Sequence, residues 1–590
     1  MLRKKEIYDI KYNSISNLIW RIFKMSTNLS KIKRDKMLET ISKIKENIND
    51  DETLKNLSLI EYELTKKKYG LVWEEHEEKV DEELKTQIPT FEEIVENEIT
   101  SNPNDNYNFI LEGDNLHSLY LLEKTHNGKI DVIYIDPPYN TGNKDFIYND
   151  QIINSEDGFR HSKWLSFMEH RLKIAKKLLS NKGVIFISID DNEFAPLRML
   201  CDEIFDERNF VGCICRATGT TTGQDANKIG SSLDYCLVYS RTSNFKLKGI
   251  PLSEKDLKRF KDEDEKGKYS TLQLRKTGNE DRRENRPNMF YPVIAPDGTN
   301  VYPFGPSDYL SRWRVAEETY NNLLKDNMIV WKKKEKYKKI IIDGIKSSPW
   351  IPYVKYYAKG RTKQVSNLFQ DIEGNKKASL DLKNIIGKEI KFDYPKPVEF
   401  INILLRISSE KNSKVLDFFA GSGTTAQAVL ELNKEDGGNR QFILCTNNEN
   451  NICEDITYQR IKTVITGKRK DNSVYSDGIS ANLKYYRTTY IPRLNTEEEN
   501  IQENLLLNIK NLIQLENGIN IDDKKIRVIF DEKTIDEFST KIDEVIECEK
   551  LYISSDILLT AKQTKLFKDN NIEIFVIPEY YFDEEIKEVQ

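Results

Sequence analysis

Asp136-Pro137-Pro138-Tyr139-Asn140-Thr141-Gly142 is the stretch of this 590-residue chain whose residue types point most directly to chemistry. It follows an apolar run, residues 129–135 (KIDVIYI), that reads as a buried strand. Loops at the carboxyl ends of parallel strands are where open α/β sheets bind ligands. Asp136 offers a carboxylate oxygen. Pro137 offers a backbone carbonyl, held outward because Pro137 and Pro138 fix φ and donate no hydrogen bond. Two such acceptors can grip both N–H bonds of an aromatic exocyclic amine, draw it toward a tetrahedral shape and aim its lone pair at a methyl donor. Tyr139 supplies an aromatic face on which a base extruded from a duplex can stack. The plain structural alternative is a rigid Pro-Pro turn with an incidental Asp cap.

A second constellation is Asp417-Phe418-Phe419-Ala420-Gly421-Ser422-Gly423-Thr424-Thr425, directly after the short apolar strand KVL. Its glycines let the backbone turn tightly and approach a ligand where the next helix begins. No Gly-Lys-Ser/Thr follows, so the loop is not built for triphosphates, and Ala426 stands where GxGxxG has its last glycine. Phe419 in front of the glycines suits a non-phosphorylated ligand. Glu449, beyond the next strand (441–446, QFILCT), is placed to grip ribose hydroxyls as acidic residues do in dinucleotide folds. Taken alone, the loop reads equally well as a simple strand–helix turn.

These loops need a parallel sheet to position them, and the surrounding sequence supplies one. From about Phe109 short apolar strands alternate with amphipathic helices. Residues 161–179 place Trp164, Met168, Leu172, Ala175 and Leu179 on one helical face, with Gly183 just past the end. Strands follow at 184–189 and 233–239, and Asp191 or Asn192 is the expected cap of the helix between them. The rhythm breaks at about 244–388, a segment of charge runs, turns, aromatics and arginines, and resumes with a strand at 414–418 and a helix from Thr424. Five regions result: a helical region at 1–100, a catalytic half at 101–244, an inserted module at 245–388, a second half of the sheet at 389–480 and a small α/β module at 481–590. In the last, strands are expected at 526–530, 551–553 and 572–577, with Tyr580-Tyr581-Phe582 as part of a small core.

Composition narrows the setting. The charged fraction of 32%, the lack of any run near the roughly 20 apolar residues a membrane helix needs, and the polar start of the chain all read as a cytoplasmic protein. Seven scattered cysteines and five histidines form neither a disulfide framework nor a metal motif. The net charge of −6 speaks against a non-specific nucleic-acid coat, yet basic residues cluster locally, as in WKKKEKYKK at 331–339 with Lys332, Lys333 and Lys334, and around Arg275–Arg286. Solvated surface is the bland reading of each cluster. Arg216 opens a Gly/Thr-rich stretch, RATGTTTGQ at 216–224, which reads either as a DNA contact or as a mobile connection.

Together, DPPY and a later DxFxGxG resemble the amino-methyltransferases of the beta permutation class, over roughly residues 107–480. DPPYNTGN, Arg286-Pro287-Asn288 with Tyr291, and Arg312-Trp313-Arg314 resemble in particular the modification subunits of type III restriction–modification systems. The resemblance implies a Rossmann-like class I methyltransferase sheet, circularly permuted, with an inserted target-recognition domain and one antiparallel edge strand. It implies that Asp136, Pro137 and Tyr139 hold a target adenine, with Asp rather than Ser heading the PPY motif. It further implies S-adenosylmethionine against Asp417, Phe419, Gly421, Gly423 and Thr424, with Glu449 at its ribose and Asp114, in the GDNL element, near its adenine. Tyr394-Pro395-Lys396-Pro397 matches the element that closes the cofactor pocket, which assigns Lys396 there. Double-stranded DNA is the implied substrate, contacted by Arg216, Arg312, Arg314 and Lys332–Lys334, with a homodimer and a separate restriction subunit as implied partners. Cytosine-N4 methylation and a catalytically silent recognition subunit are the rival readings; the intact motifs oppose the second.

Overall fold

The computed structural model describes residues 29–46, 50–65, 73–148, 151–154, 156–219, 230–372, 374–387, 392, 394–492, 498–578 and 581. The chain divides into two units, 1–74 and 75–590. In the first, the helices Leu29–Lys45 and Asp51–Thr65 pack on each other, with Lys45 paired to Glu61 at 2.6 Å. Residues 1–28 of the expected helical region lie outside the described residues.

The second unit is built on one ten-stranded sheet. Its strands are β1 (Gln87–Glu93), β2 (Tyr107–Glu112), β3 (Ile130–Ile135), β4 (Leu179–Ile189), β5 (Phe210–Ala217), β6 (Leu233–Ser240), β7 (Leu368–Phe369), β8 (Lys414–Asp417), β9 (Gln441–Thr446) and β10 (Asn482–Pro492). They lie in the order β1-β10-β2-β9-β8-β3-β4-β6-β5-β7. From β10 to β4 all neighbours are parallel, and β6 runs antiparallel to β4 and β5. The near-continuous Val/Ile/Leu content of β3, β4, β8 and β9 is what a strand covered on both faces requires.

Helices α1 (Asn115–His126), α2 (Arg160–Leu178), α3 (Phe194–Cys201), α4 (Asn375–Ile386), α5 (Val398–Ser408), α6 (Thr424–Asp436), α7 (Gln459–Thr466) and α8 (Glu498–Asn517) complete the layers. One core joins α4, α5, α6 and α7 to alternate strand residues such as Val132, Tyr134, Val184, Val415 and Phe442. Helices α1, α2 and α8 pack together, with α1 and α8 also against β1.

The structure corrects several boundaries. The strand β1 lies inside the region expected to be helical, because Gln87–Glu93 pairs along its whole length with β10. Residues 482–492 belong to the main sheet and not to the C-terminal module, and β7, within the expected insertion, pairs with β5 through Phe369 and Arg216. The expected antiparallel edge strand is β1, beside β10, and β6 is a second antiparallel strand inside the sheet. The helix α3 begins after Glu193, and Asp190, not Asp191 or Asn192, makes the local side-chain-to-backbone bond, to the Asn192 amide at 2.9 Å. The insertion forms its own four-stranded antiparallel sheet (Asp262–Asp264, Gly267–Gln273, Trp350–Tyr357, Ile329–Lys333) over a core of Tyr291, Val293, Trp313, Tyr320 and Val354. The C-terminal strands Ile526–Ile529, Lys550–Ile553 and Glu573–Val576 form a separate parallel sheet. Tyr581 is buried; Tyr580 and Phe582 lie outside the described residues.

Candidate active site at the sheet's switch point

Strands β3 and β8 are adjacent and parallel, paired at Val132–Val415 and Ile133–Leu416. From β3 the chain crosses through α2 to β4 on one side; from β8 it crosses through α6 to β9 on the other. Such a reversal leaves a crevice beyond the strand ends, the usual ligand site of an open α/β sheet. Both motif loops open into it.

In the acceptor loop, Tyr139 donates to Asp136 Oδ1 at 3.0 Å, and Lys396 Nζ lies 2.9 Å from the same oxygen while donating to the Tyr139 hydroxyl at 2.7 Å. Both contacts fall on Oδ1, which leaves Oδ2 for an amine N–H. Asp136 is one-quarter exposed and Lys396 only 7%. Burial, then the Asp136 charge, holds the Tyr139 phenol far above its ordinary range, so it stays a donor. The Lys396 side chain therefore serves the Asp136 loop, while its backbone carbonyl accepts from Thr424 of the glycine loop at 3.3 Å. Its second carboxylate is Asp234 on β6 at 3.5 Å, which also accepts from Arg216 at 2.6 Å. The loop is further tied down by Trp164, whose indole donates to the Pro138 carbonyl at 2.7 Å, and by Asn140, whose left-handed φ of 56° turns the chain toward α2.

The glycine loop is shaped by its backbone. Gly421 and Gly423 adopt φ of 47° and 75°, conformations that penalise a side chain, and a Cβ on Gly421 would lie 3.3 Å from the Phe392 ring. Asp417, 2% exposed, accepts from the Phe419 amide at 3.0 Å and from the Thr425 hydroxyl. Burial pushes its carboxyl up to about 7. Thr424 accepts from Arg460, whose guanidinium also donates to the Ser422 carbonyl and Gln427; burial lowers Arg460 to about 10. Asn115, beside Asp114, donates to the Phe418 carbonyl at 2.8 Å and accepts from Arg171 at 2.6 Å. Asp114 caps α1 and lies 3.5 Å from Arg171, Phe419 packs on Phe167, and Glu449 is exposed at the end of β9. The expected cofactor residues thus border the ends of β2, β9 and β8, and Lys396 joins them through its carbonyl, which accepts from the Thr424 hydroxyl at 3.3 Å.

The expected DNA contacts separate. Lys332, Lys333 and Lys334 are exposed, with Lys332 4.9 Å from the Tyr353 ring centre and Lys333 5.3 Å from that of Trp350. Arg314 is half-buried on the Gln273 carbonyl. Arg216 and Arg312 are 1% and 5% exposed; Arg216 donates from Nη2 to Asp234 and Asn375 while its Nε and Nη1 meet no partner, and Arg312 donates to the Glu280 and Trp313 carbonyls. Both hold the fold where a phosphate contact was expected. The stretch 220–224 lies outside the described residues. Sequence reasoning missed Asp234, Arg460 and Glu193, none of which sits in a motif, and gave no role to Asn115 of the GDNL element. A further carboxylate–imidazole group, Glu78, Asp81 and His170, is already engaged by Arg171, which forks onto Glu78 at 2.7 and 3.1 Å.

A paired amine-acceptor loop and a glycine loop, side by side at the switch point of a sheet ordered this way, define a Rossmann-like methyltransferase fold. The profile of the DNA methylase family (N6_N4_Mtase) matches residues 130–459, and the chain belongs to that family. It is 32% identical over 432 residues to the type III restriction-modification enzyme StyLTI Mod subunit of Salmonella typhimurium, across 67% of this chain and 62% of that protein. It is 32% identical over 434 residues to the EcoPI Mod subunit of Escherichia phage P1, across 66% of this chain and 65% of that one. Against the type II methyltransferase M.KpnI of Klebsiella pneumoniae the identity is 35% over 353 residues, 57% of this chain and 79% of the relative. The chain therefore spans a little under two thirds of the length of the two Mod subunits. None of the described helices is long and apolar enough to cross a membrane.

Proposed function

We propose that this chain transfers a methyl group from S-adenosylmethionine to the N6 amine of adenine in duplex DNA, at a specific short sequence, as the modification subunit of a restriction–modification system. The observation that carries the reading is the β3–β8 junction, where both hydrogen-bond partners of the Asp136 carboxylate fall on one oxygen, beside a glycine loop whose left-handed backbone carries no Cβ. The similarity to Mod subunits supports the system, and Asp at the head of the PPY motif supports adenine.

The residues present suit that cofactor. Left-handed glycines open the loop to a ligand, Phe419 offers an aromatic edge, and the Asp417 carboxyl, about half ionised near pH 7 at its raised value, disfavours a phosphate beside it. Phe419, Gly421, Gly423 and Thr424 would hold its methionine and adenosine portions, Glu449 the ribose and Asp114 the adenine. When bound, the cofactor supplies an electrophilic methyl group. Asp136 and the Pro137 carbonyl orient the target amine, Tyr139 stacks on the base, and Lys396 holds the Asp136 carboxylate in one orientation. The exposed lysines of the insertion are suited to phosphate contacts. A homodimer and a separate restriction subunit complete the proposed assembly.

Single-molecule sequencing of DNA from cells with and without this protein tests the reading. N6-methyladenine at one short motif, present only with the protein, is the expected result. N4-methylcytosine, or no modification, would overturn it.

A further inference from the structure

Asn140 and Glu193 are both fully buried, one in the acceptor loop and the other at the start of α3. Asn140 Nδ2 donates to Glu193 Oε1 at 2.6 Å and to the Arg160 carbonyl at 3.2 Å. The second bond fixes the amide, since a flipped Asn140 would face its oxygen to that carbonyl. His161 Nδ1 also lies 2.6 Å from Glu193 Oε1. Two buried atoms then have no partner: Asn140 Oδ1 and Glu193 Oε2. Both are acceptors as a carboxylate and an amide present them, and leaving each unmet is costly in a dry interior. One proton on Oε2 removes both deficits, because the acid O–H then faces an amide acceptor while the amide N–H faces the acid carbonyl.

We propose that Glu193 is a positioning residue that acts as a neutral carboxylic acid, closing a two-bond ring with Asn140 that clamps the acceptor loop behind Tyr139. The ionisable or charged groups acting on it are His161 and Arg160 from α2 and Asp190 from the end of β4. Burial, aided by the Asp190 charge, outweighs the Asn140 hydrogen bond and the Arg160 charge and raises its carboxyl to about 8. The folded chain thus holds a proton that the unfolded chain releases at ordinary carboxylate pH. Stability from this pair is full at low pH and declines as pH rises from about 4.5 toward 8.

The role in catalysis rests on the proposed methyl transfer, whereas the ring itself does not, and the test separates them. The full chain and its Glu193→Gln and Glu193→Ala variants are compared in thermal unfolding between pH 6 and 9, and in single-turnover methylation of unmodified genomic DNA with S-adenosylmethionine. Glutamine reproduces the neutral acid without its proton linkage, so Glu193→Gln should keep the wild-type rate near pH 7 and melt above the wild type by a margin that grows from pH 6 to 8, while Glu193→Ala loses rate and melts below Glu193→Gln. Above pH 8 the wild type should fall, by about tenfold in rate at pH 9 if only the protonated form works, and Glu193→Gln should stay level. A Glu193→Gln protein as impaired as Glu193→Ala, or melting curves of wild type and Glu193→Gln that shift in parallel with pH, would overturn the proposal. A chain that never methylates DNA but shows the expected melting pattern would keep the ring and discard the methyl-transfer reading.

Discussion

The two loops at the sheet's switch point are neighbours on parallel strands, yet they are held in opposite ways. The acceptor loop after β3 is fixed by side chains that arrive from far along the chain: Trp164 from α2, Glu193 from α3 and Lys396 from before α5. The glycine loop after β8 is fixed by its own dihedrals, with Asp417 and Arg460 gripping its backbone. One loop depends on the charge and hydrogen-bonding capacity of several remote residues, the other on the absence of Cβ atoms at two positions. Damage to the first should therefore appear in turnover, and damage to the second in cofactor affinity.

The largest expected effect is that of Asp136→Ala. Removing one of the two amine acceptors should lower the single-turnover rate about 10³-fold, within the range of groups that act directly at a reacting centre. Cofactor affinity by calorimetry should stay within about twofold, and a comparable loss of cofactor binding would erase the distinction between the loops.

Next comes Gly421→Val, which forces a branched residue to a φ of 47° and toward the Phe392 ring. The backbone strain alone is worth about 1–2 kcal/mol. S-adenosylmethionine should bind at least about tenfold more weakly, while far-ultraviolet circular dichroism keeps the wild-type signature. An unaltered dissociation constant would place the cofactor elsewhere.

The smallest effect sharpens the comparison at its one ambiguous residue. Lys396 lies in sequence just ahead of the glycine loop but touches the acceptor carboxylate. For Lys396→Met, kcat should fall about tenfold with cofactor affinity nearly constant, a loss typical of one hydrogen bond to a charged group. A drop in affinity with kcat preserved would return Lys396 to the cofactor side.

What the sequence revealed follows the same division. Both motifs, their strands and the helix after each were legible, because they depend on contiguous residues and on the 2.0 and 3.6 periodicities. The strands β1 and β10 at one end of the sheet and β7 at the other were not: Gln87–Glu93 is short and lies in a polar, helix-rich stretch, and it becomes a strand only by pairing with residues about 400 positions away. The supporting side chains were hidden for the same reason. Asp234 and Glu193 stand in ordinary-looking segments, and nothing local marks them as partners of Lys396 or Asn140. Arg216 and Arg312 erred in the other direction. An arginine in a polar or basic stretch looks like surface, and only the tertiary fold reveals a carboxylate or carbonyl waiting inside.

The permuted order of the sheet also bears on how the protein is made. The strand β2 is among the first to leave the ribosome, but its two neighbours, β9 and β10, pair with it through residues more than 330 positions later, as in Phe109 with Ile443 and Tyr107 with Asn482. The strand β3 likewise waits for Val415 on β8. At about 5–20 residues per second, the wait for the last of these strands is roughly 20–75 s. For all of it Phe109-Ile110-Leu111 keeps an unpaired apolar flank toward β10, and Val132-Ile133-Tyr134-Ile135 keeps one until β8 is made. Such flanks are what holdase chaperones bind, so synthesis of this chain should be sensitive to chaperone supply in a way that an unpermuted sheet of the same size would not be.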